Sequence, residues 1–304
     1  MTRRTALFAL ACLAAPLAAA PAHAQLNLGK LIDGAKTAKK VGDSLRSISE
    51  AEEIKLGGDL AATILGAAPL VDDPALQLYV NRLGKWLALH GERPDLPWKF
   101  GVVNTTDVNA FSMPGGYVLI SSGLFERMRS ESELAGVLAH EIAHVVRRHH
   151  IKALQTALRS AALSDMNDYF NGGGGLGSQV SKLVIDGGKE MFVRGLDKDD
   201  EYEADRMGVV IAARSGYSPW GLGGVLQTLS AGAEDRGFAL MTKTHPLPID
   251  RIARLDAALG DRLDTLDGLV DDLPGFVALR TPPPPPPNPA IAPPARKAKP
   301  KPRR

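Results

Sequence analysis

Two histidines and a glutamate lie close together in the segment His140-Glu141-Ile142-Ala143-His144. On a helix, residues four apart are separated by about 40° around the axis and about 6 Å along it. Both imidazoles can therefore face one zinc ion at the usual Zn–N distance of about 2.0–2.1 Å. Glu141 lies beside them, where a carboxylate can take a proton from a zinc-bound water. The segment predicts a zinc-dependent hydrolytic site, and the alternative is a chance pentapeptide on an ordinary amphipathic helix.

The surrounding sequence favours the helix that this spacing requires. Ser130 followed by Glu133 is typical of a capping box, with which many helices begin. Apolar residues then recur at helical spacing, at Leu134, Val137, Leu138, Ile142, Val145 and Val146. The spacing continues through Leu154 and Leu158. We therefore predict one helix that runs past His150 without a break.

A catalytic zinc usually has three protein ligands and one open position, so the motif needs a third ligand. His150 has the offset from His144 that metzincins use, but Arg147 stands where their helix-breaking glycine would be. On an unbroken helix, His150 lies about 240° around the axis from His144 and points away from the metal. His149 and His150 are therefore predicted to be surface residues on a basic helical edge.

Glu201 is the better candidate for the third ligand. It follows the acidic residues of the segment 197–200, and Asp205, four residues later, lies on the same helix face. Glu201 can then bind zinc, as in thermolysin-like proteases, while Asp205 accepts the outer N–H of a zinc-binding histidine. A solvated acidic helix start is the alternative, since this spacing is common.

The N-terminus has the pattern of a secretory signal peptide. Two arginines precede an apolar run from Thr5 to Ala20, and an A-x-A cleavage site follows at Ala22–Ala24. We predict that residues 1–24 are removed and that the mature, soluble protein lies in the periplasm. Cys12, the only cysteine, falls inside this segment, so the mature chain has no disulfide. The alternative is an outer-membrane lipoprotein anchored through Cys12.

The mature chain is predicted to have three parts. Residues 25–48 form an amphipathic helical segment, and residues 49–280 form the folded domain. Residues 281–304 form a disordered, Pro-rich basic tail. About eight helices and a few short strands predict a mainly helical α+β fold. Within it, Asn104–Ser112 is predicted to be irregular and Tyr117–Ile120 to be a strand.

Charge is distributed unevenly along the chain. The last 24 residues carry six basic and no acidic side chains, whereas the net charge of the whole chain is only +2. The body of the protein is therefore acidic, which gives no support for nucleic-acid binding. The tail can make peripheral contact with a membrane or with peptidoglycan through charge alone, and a solvated disordered end is the alternative.

Four motifs, in this order, resemble the HtpX and CAAX-prenyl-endopeptidase family of zinc metallopeptidases, and most of all its soluble periplasmic, BepA-like branch. They are Asn109-Ala-Phe-Ser-Met-Pro-Gly-Gly-Tyr117, His140-Glu-Ile-Ala-His144, Glu201-Tyr-Glu-Ala-Asp205 and Thr244-His245-Pro246. The resemblance implies a zincin-like, gluzincin-type domain with one zinc per chain, bound by His140, His144 and Glu201, and with Glu141 as general base.

The same resemblance implies how a substrate is held. A small sheet has an edge strand that flanks the active-site helix and pairs with an extended peptide, and Tyr117–Ile120 fits that strand. The implied substrate-binding residues are Asn109, Phe111, Gly116, Tyr117 and Val118. His245 is implied to be catalytic and close to the zinc, where it either stabilises the oxyanion or occupies the open position. A histidine that simply precedes Pro246 at a helix entry is the alternative.

The function implied by the resemblance is proteolytic quality control in the bacterial cell envelope. Such an endopeptidase hydrolyses peptide bonds in unfolded or misassembled envelope and outer-membrane proteins. The alternative function is that of a non-proteolytic periplasmic chaperone that binds the same proteins.

Overall fold

The computed structural model describes residues 48–157, 195–232 and 244–280, apart from residues 264 and 267. The predicted signal peptide, Cys12, the tail 281–304 and all of the segment 25–48 except its last residue lie outside these ranges. None of the described helices combines the length and the apolar composition that crossing a bilayer requires.

The described chain is mainly helical, with one small sheet, as the sequence predicts. The helices are α1 (Glu50–Ala67), α2 (Pro74–Leu89), α3 (Ser122–Phe125), α4 (Glu131–Val146), α5 (residues 149–157), α6 (Lys198–Arg214), α7 (Gly221–Ala231), α8 (Pro248–Leu259) and α9 (Pro274–Arg280). The strands are β1 (Lys99–Val103), β2 (Ala110–Met113) and β3 (Tyr117–Ser121).

The sheet is mixed, and its strand order is β1-β3-β2. β3 pairs in parallel with β1, Lys99 opposite Tyr117, and antiparallel with β2, Ala110 opposite Ile120. A tight turn at residues 114–116 joins β2 to β3, and Gly115 there has a φ of 76°, which side chains with a Cβ rarely adopt. Two predictions are therefore wrong: the first three residues of β2 lie in the segment expected to be irregular, and β3 is the central strand rather than an edge.

Helix α4, which carries His140 to His144, is the centre of the fold. All of its residues are buried, and it packs against α2, α6, α7 and β2. Ser130 caps it by accepting a hydrogen bond from the Glu133 backbone N–H. The Glu133 carboxylate accepts from Arg129 instead of completing the predicted capping box. A helix buried on every side has a fixed orientation, which the residues of a catalytic site require.

The N-terminal end of α4 is tied to the C-terminal part of the described chain. The buried Glu131 carboxylate accepts hydrogen bonds from the Tyr217 hydroxyl (3.0 Å) and the Leu273 backbone N–H (2.8 Å). The Glu131 backbone N–H donates in turn to the Asp272 carboxylate (2.8 Å). Phe276, on α9, is 1% exposed and belongs to the same core as α4. These contacts fix the position of α4 along its own axis.

Helix α6 approaches α4 very closely at Gly208. A Cβ at this position would lie 2.8 Å from the backbone nitrogen of His140, so no larger residue fits without movement. Glu201, Asp205 and Gly208 lie on one face of α6, at spacings of four and three residues. The close approach at Gly208 therefore brings both carboxylates up to the histidines of α4.

Candidate active site

Three side chains from α4 and α6 converge on one point. His140 Nε2 lies 3.1 Å from His144 Nε2 and 3.7 Å from Glu201 Oε2, and His144 Nε2 lies 3.5 Å from Glu201 Oε1. Donors bound at about 2.0–2.2 Å around a tetrahedral zinc ion are about 3.3–3.6 Å apart, so the observed separations match. Glu201 Oε1 is buried and has no hydrogen-bond partner among the described residues, which is rare for a carboxylate oxygen unless an ion is its partner.

Glu141 lies beside this trio and lines the adjoining cleft. The cleft is lined by Asn109, Ala110, Phe111, Ser112, Glu141, His144, His150, Gly195, Leu196, Glu201, Thr244 and His245. The Glu141 side chain therefore shares one space with two of the three converging residues. A second crevice is lined by His140 and Glu141, and its apolar lining consists of Ala110, Leu124, Val137, Leu222, Val225, Leu226 and Leu229.

The outer nitrogen of His140 faces a charged pair. His140 Nδ1 lies 2.9 Å from Asp205 Oδ1. Arg251 on α8 donates to both oxygens of that carboxylate, at 2.6 and 2.9 Å. Arg251 is 3% exposed, and its Nη2 also lies 3.4 Å from His140 Nδ1. Asp205 is therefore held in place from two sides, and its position fixes the orientation of the His140 ring.

The outer nitrogen of His144 faces another histidine. His144 Nδ1 lies 2.9 Å from His149 Nδ1, and both rings are buried. The prediction that His149 and His150 are surface residues is therefore wrong, because the helix does not continue unbroken. α4 ends at Val146, and Arg148 has a φ of 56°, outside the helical region. The chain turns there, and α5 starts with both histidines directed inward, His150 as part of the cleft wall.

His245 reaches the site from the segment that precedes α8. Its Nδ1 lies 2.7 Å from Glu201 Oε2, and the donor atoms of His140, Glu201 and His245 all lie within 4.8 Å of one another. Thr244 is buried, and its backbone lies so close to Gly195 that a Cβ on Gly195 would overlap the Thr244 carbonyl. The structure thus places His245 next to the three converging residues.

The electrostatics of the site keep Glu201 and Asp205 ionised and His144 neutral. Burial raises the pKa of Glu201, but the charge and hydrogen bond of His245, with the charges of His140 and Arg251, outweigh it and lower this pKa to about 2. Burial likewise opposes ionisation of Asp205, and Arg251 outweighs it and lowers the pKa of that carboxyl. Burial and the neighbouring His140 hold the pKa of His144 well below its usual value. A carboxylate and a neutral imidazole are the forms in which these groups bind metals.

The sequence-predicted substrate-binding residues separate into two groups. Asn109 and Phe111 line the cleft, and Asn109 Oδ1 is buried there without a hydrogen-bond partner in the described parts of the chain. Gly116, Tyr117 and Val118 are not among the residues that line the cleft. β3 already has neighbours on both sides, so its backbone cannot pair with a peptide, and the prediction for Tyr117–Ile120 is wrong. Among the described strands, β2 is the edge strand that lies beside α4.

Two residues of the site were missed by sequence reasoning. Arg251 stands three residues after Pro248 and four before Leu255, on the stripe of α8 that is buried. A charged residue on such a stripe indicates a buried partner, and this signal was available in the sequence. His149 offered no comparable signal, because its inward position depends on the turn at Arg148.

Comparisons with known proteins agree with this geometry. The model of Peptidase family M48 matches residues 74–259, which is well over half of the chain. The "Beta-barrel assembly-enhancing protease" of Escherichia coli (strain K12) is 34% identical over 235 residues, which cover 73% of this chain and 47% of that protein. The chain therefore spans about half the length of this relative.

Two shorter matches carry other names. The "Metalloprotease YcaL" of Escherichia coli (strain K12) is 31% identical over 175 residues, covering 57% of this chain and 67% of that protein. The "Mitochondrial metalloendopeptidase OMA1" of Schizosaccharomyces pombe is 28% identical over 180 residues, covering 59% of this chain and 52% of that protein. These relatives confirm the resemblance predicted from the four motifs, and the extent of the family match shows that the chain belongs to peptidase family M48.

Proposed function

We propose that this chain is a zinc-dependent metalloendopeptidase of the bacterial cell envelope. The observation that carries the proposal is the convergence of His140 Nε2, His144 Nε2 and the Glu201 carboxylate at 3.1–3.7 Å from one another, with Glu141 in the adjoining cleft. Two imidazoles and one carboxylate leave the fourth tetrahedral position open, which is the arrangement of catalytic rather than structural zinc.

Each residue of the site then has a chemical role. His140, His144 and Glu201 bind one zinc ion, which when bound supplies a Lewis acid for the scissile carbonyl and acidifies water near neutral pH. Glu141 takes the proton of the attacking water and later returns it to the leaving amine. His245 lies beside Glu201 in the wall of the same cleft. There its ring can donate to the oxygen of the tetrahedral intermediate, or it can occupy the open metal-binding position when no substrate is present.

Substrate binding is assigned to β2, the edge strand of the described sheet that lies beside α4. An extended peptide that pairs with Ala110–Met113 gains backbone hydrogen bonds whatever its sequence, and its scissile bond then passes Glu141. Asn109 Oδ1, which has no partner within the described residues, is available to a backbone N–H of the peptide. The apolar crevice beside His140 suits an apolar side chain next to the scissile bond. These features favour extended, and therefore unfolded, protein segments.

The cell envelope and its proteins are proposed as location and substrate on two grounds. Residues 1–24 have the composition of an export signal, and four of the relatives are named beta-barrel assembly-enhancing proteases. We assign the protein to the periplasm, with unfolded or misassembled envelope proteins as its substrates. Peripheral contact through the basic tail remains part of this proposal.

The proposal is tested with the variant Glu141→Gln, which keeps the shape of the side chain and removes the base. Cleavage of unfolded casein should fall by about 10²- to 10⁴-fold, while the zinc content stays at one ion per chain. Glu126→Gln, an exposed carboxylate directly after α3, is the matched control and should cleave like wild type.

The chaperone alternative predicts a different set of results. Metal-free protein that suppresses aggregation, and shows no chelator-sensitive cleavage, would favour a binding factor. Full activity of the Glu141→Gln variant would exclude Glu141 as the base.

A further inference from the structure

The two histidines of the proposed zinc site have outer nitrogens in different environments. His140 faces the Asp205 carboxylate, whereas His144 faces the ring of His149 at 2.9 Å, Nδ1 to Nδ1. Zinc-binding histidines usually donate their outer N–H to a carboxylate, a backbone carbonyl or water, so an imidazole is an unusual acceptor. The contact is buried on both sides, since His144 and His149 are each 1% exposed.

The positions of the protons follow from this contact. If His144 Nε2 presents its lone pair to the metal, its proton must be on Nδ1. A distance of 2.9 Å between two nitrogens requires one proton between them, so His149 Nδ1 must be the acceptor. The proton of a neutral His149 then lies on Nε2, which faces Glu203 Oε2 at 3.4 Å and Asp200 Oδ1 at 3.7 Å. One arrangement of protons is therefore compatible with every contact in the series that runs from His144 through His149 to Glu203 and Asp200 on α6.

The position of His149 depends on the turn between α4 and α5. On a continuous helix, a residue five positions after His144 would lie about 140° away around the axis and could not reach it. The turn is held by Arg148, whose side chain donates to the Ile48 carbonyl (2.8 Å) and lies 3.1 Å from the buried Glu53 carboxylate. The φ of 56° at Arg148 is uncommon for a residue with a Cβ. The fold thus maintains an unfavourable backbone conformation at the position that brings His149 to His144.

A second metal site is the other reading of this cluster, because donor atoms of His149, Asp200 and Glu203 lie within 4.8 Å of one another. Both carboxylates already have cationic partners, however. Lys152 Nζ lies 2.7 Å from Asp200 Oδ1, and Arg147 Nε lies 3.1 Å from Glu203 Oε1. A divalent cation would have to compete with both, and His149 Nδ1 is directed at His144. The geometry therefore favours a hydrogen-bonded network over a second ion.

We propose that His149 is a positioning residue for the zinc site: its Nδ1 accepts the outer N–H of His144 and so fixes the tautomer and the orientation of that ligand. The inference rests on the proposed function, since it assumes that His144 binds zinc. It makes His149 the counterpart of Asp205, with an imidazole in place of a carboxylate.

The matched pair His149→Asn and His149→Gln tests this assignment. Both introduce an amide, but the asparagine oxygen is two bonds from Cβ, as Nδ1 is, whereas the glutamine oxygen is three bonds away, as Nε2 is. Asparagine can therefore accept from His144 and glutamine cannot. In competition with a chromogenic chelator, His149→Asn should bind zinc within about threefold of wild type, and His149→Gln about 10- to 100-fold more weakly.

Tautomer measurement on the unmodified full-length protein gives a test that needs no variant. Proton–nitrogen correlation NMR of the zinc-loaded, histidine-labelled chain should show His149 protonated on Nε2 and unprotonated on Nδ1. Protonation of His149 on Nδ1, or equal zinc affinity of folded Asn and Gln variants, would overturn the assignment. Binding of two zinc ions per chain, with the second lost in both variants, would establish the second metal site instead. If the wild type binds no zinc at all, the proposed function fails, and this result is distinct from the other two.

Discussion

The environments of His140 and His144 differ although the two residues lie one turn apart on the same helix. His140 is supported by a buried ion pair, Asp205 with Arg251, whose charges cancel. His144 is supported by the ring of His149, which burial keeps neutral by lowering its pKa. A buried carboxylate is tolerated when a cation accompanies it, as Arg251 accompanies Asp205. The neutral imidazole of His149 fixes the ring of His144 without a second buried cation. The fold therefore orients one histidine with an ion pair and the other with a neutral ring.

The largest effect is expected from removing Arg251, the cation of the ion pair that supports His140. Arg251→Met leaves Asp205 ionised and buried without its cation, which should lower the free energy of unfolding of the metal-free protein by about 3–5 kcal/mol. Urea unfolding in the presence of a chelator measures this change. In the double variant Arg251→Met/Asp205→Asn both charges are absent, so the loss should be smaller than in either single variant. If the double variant lost as much free energy of unfolding as the two single variants together, the two side chains would act independently.

A smaller effect is expected on metal binding when the charge is removed but the hydrogen bond is kept. In Arg251→Met/Asp205→Asn, the amide oxygen at position 205 can still accept from His140 Nδ1, without the negative charge that makes the imidazole more basic. Zinc affinity should therefore fall by about 10-fold, the lower end of the range for outer partners of metal ligands. His149→Asn is the matched change on the other side. It should leave zinc affinity nearly unchanged, because no charge is lost at position 149. An equal loss of zinc affinity in this variant and in Arg251→Met/Asp205→Asn would show that the charged and the neutral support do not differ in their effect on zinc binding.

How far the sequence predicts this site depends on whether local or tertiary contacts decide each position. His140, Glu141 and His144 follow from spacing on one helix, and Glu201 and Asp205 from spacing on another. The fold brings both sets together because Gly208 lets α6 approach α4.

The errors occur where tertiary contacts override local pattern. Apolar spacing through Leu154 predicts a continuous helix, but Arg148 takes a positive φ because Glu53 and Ile48, about 100 residues earlier, hold its side chain. Strand order cannot be read from the strand pattern of Tyr117–Ile120 alone, so β3 was assigned to the edge. β2 has four residues, too few for its pattern to stand out from a polar loop.

The smallest effect is expected at the outermost part of the His149 network. The ammonium group of Lys152 lies 2.7 Å from Asp200, but its side chain is 66% exposed, so water screens the pair and its net contribution is small. Lys152→Ala should lower the free energy of unfolding by less than about 1 kcal/mol, as measured with urea. Zinc affinity should stay within about twofold of wild type, because the hydrogen bond from His144 ends on His149 and does not require the charge of Lys152. A 10-fold loss of affinity in this variant would mean that the charge balance around Asp200 and Glu203, rather than the His149 acceptor, orients His144.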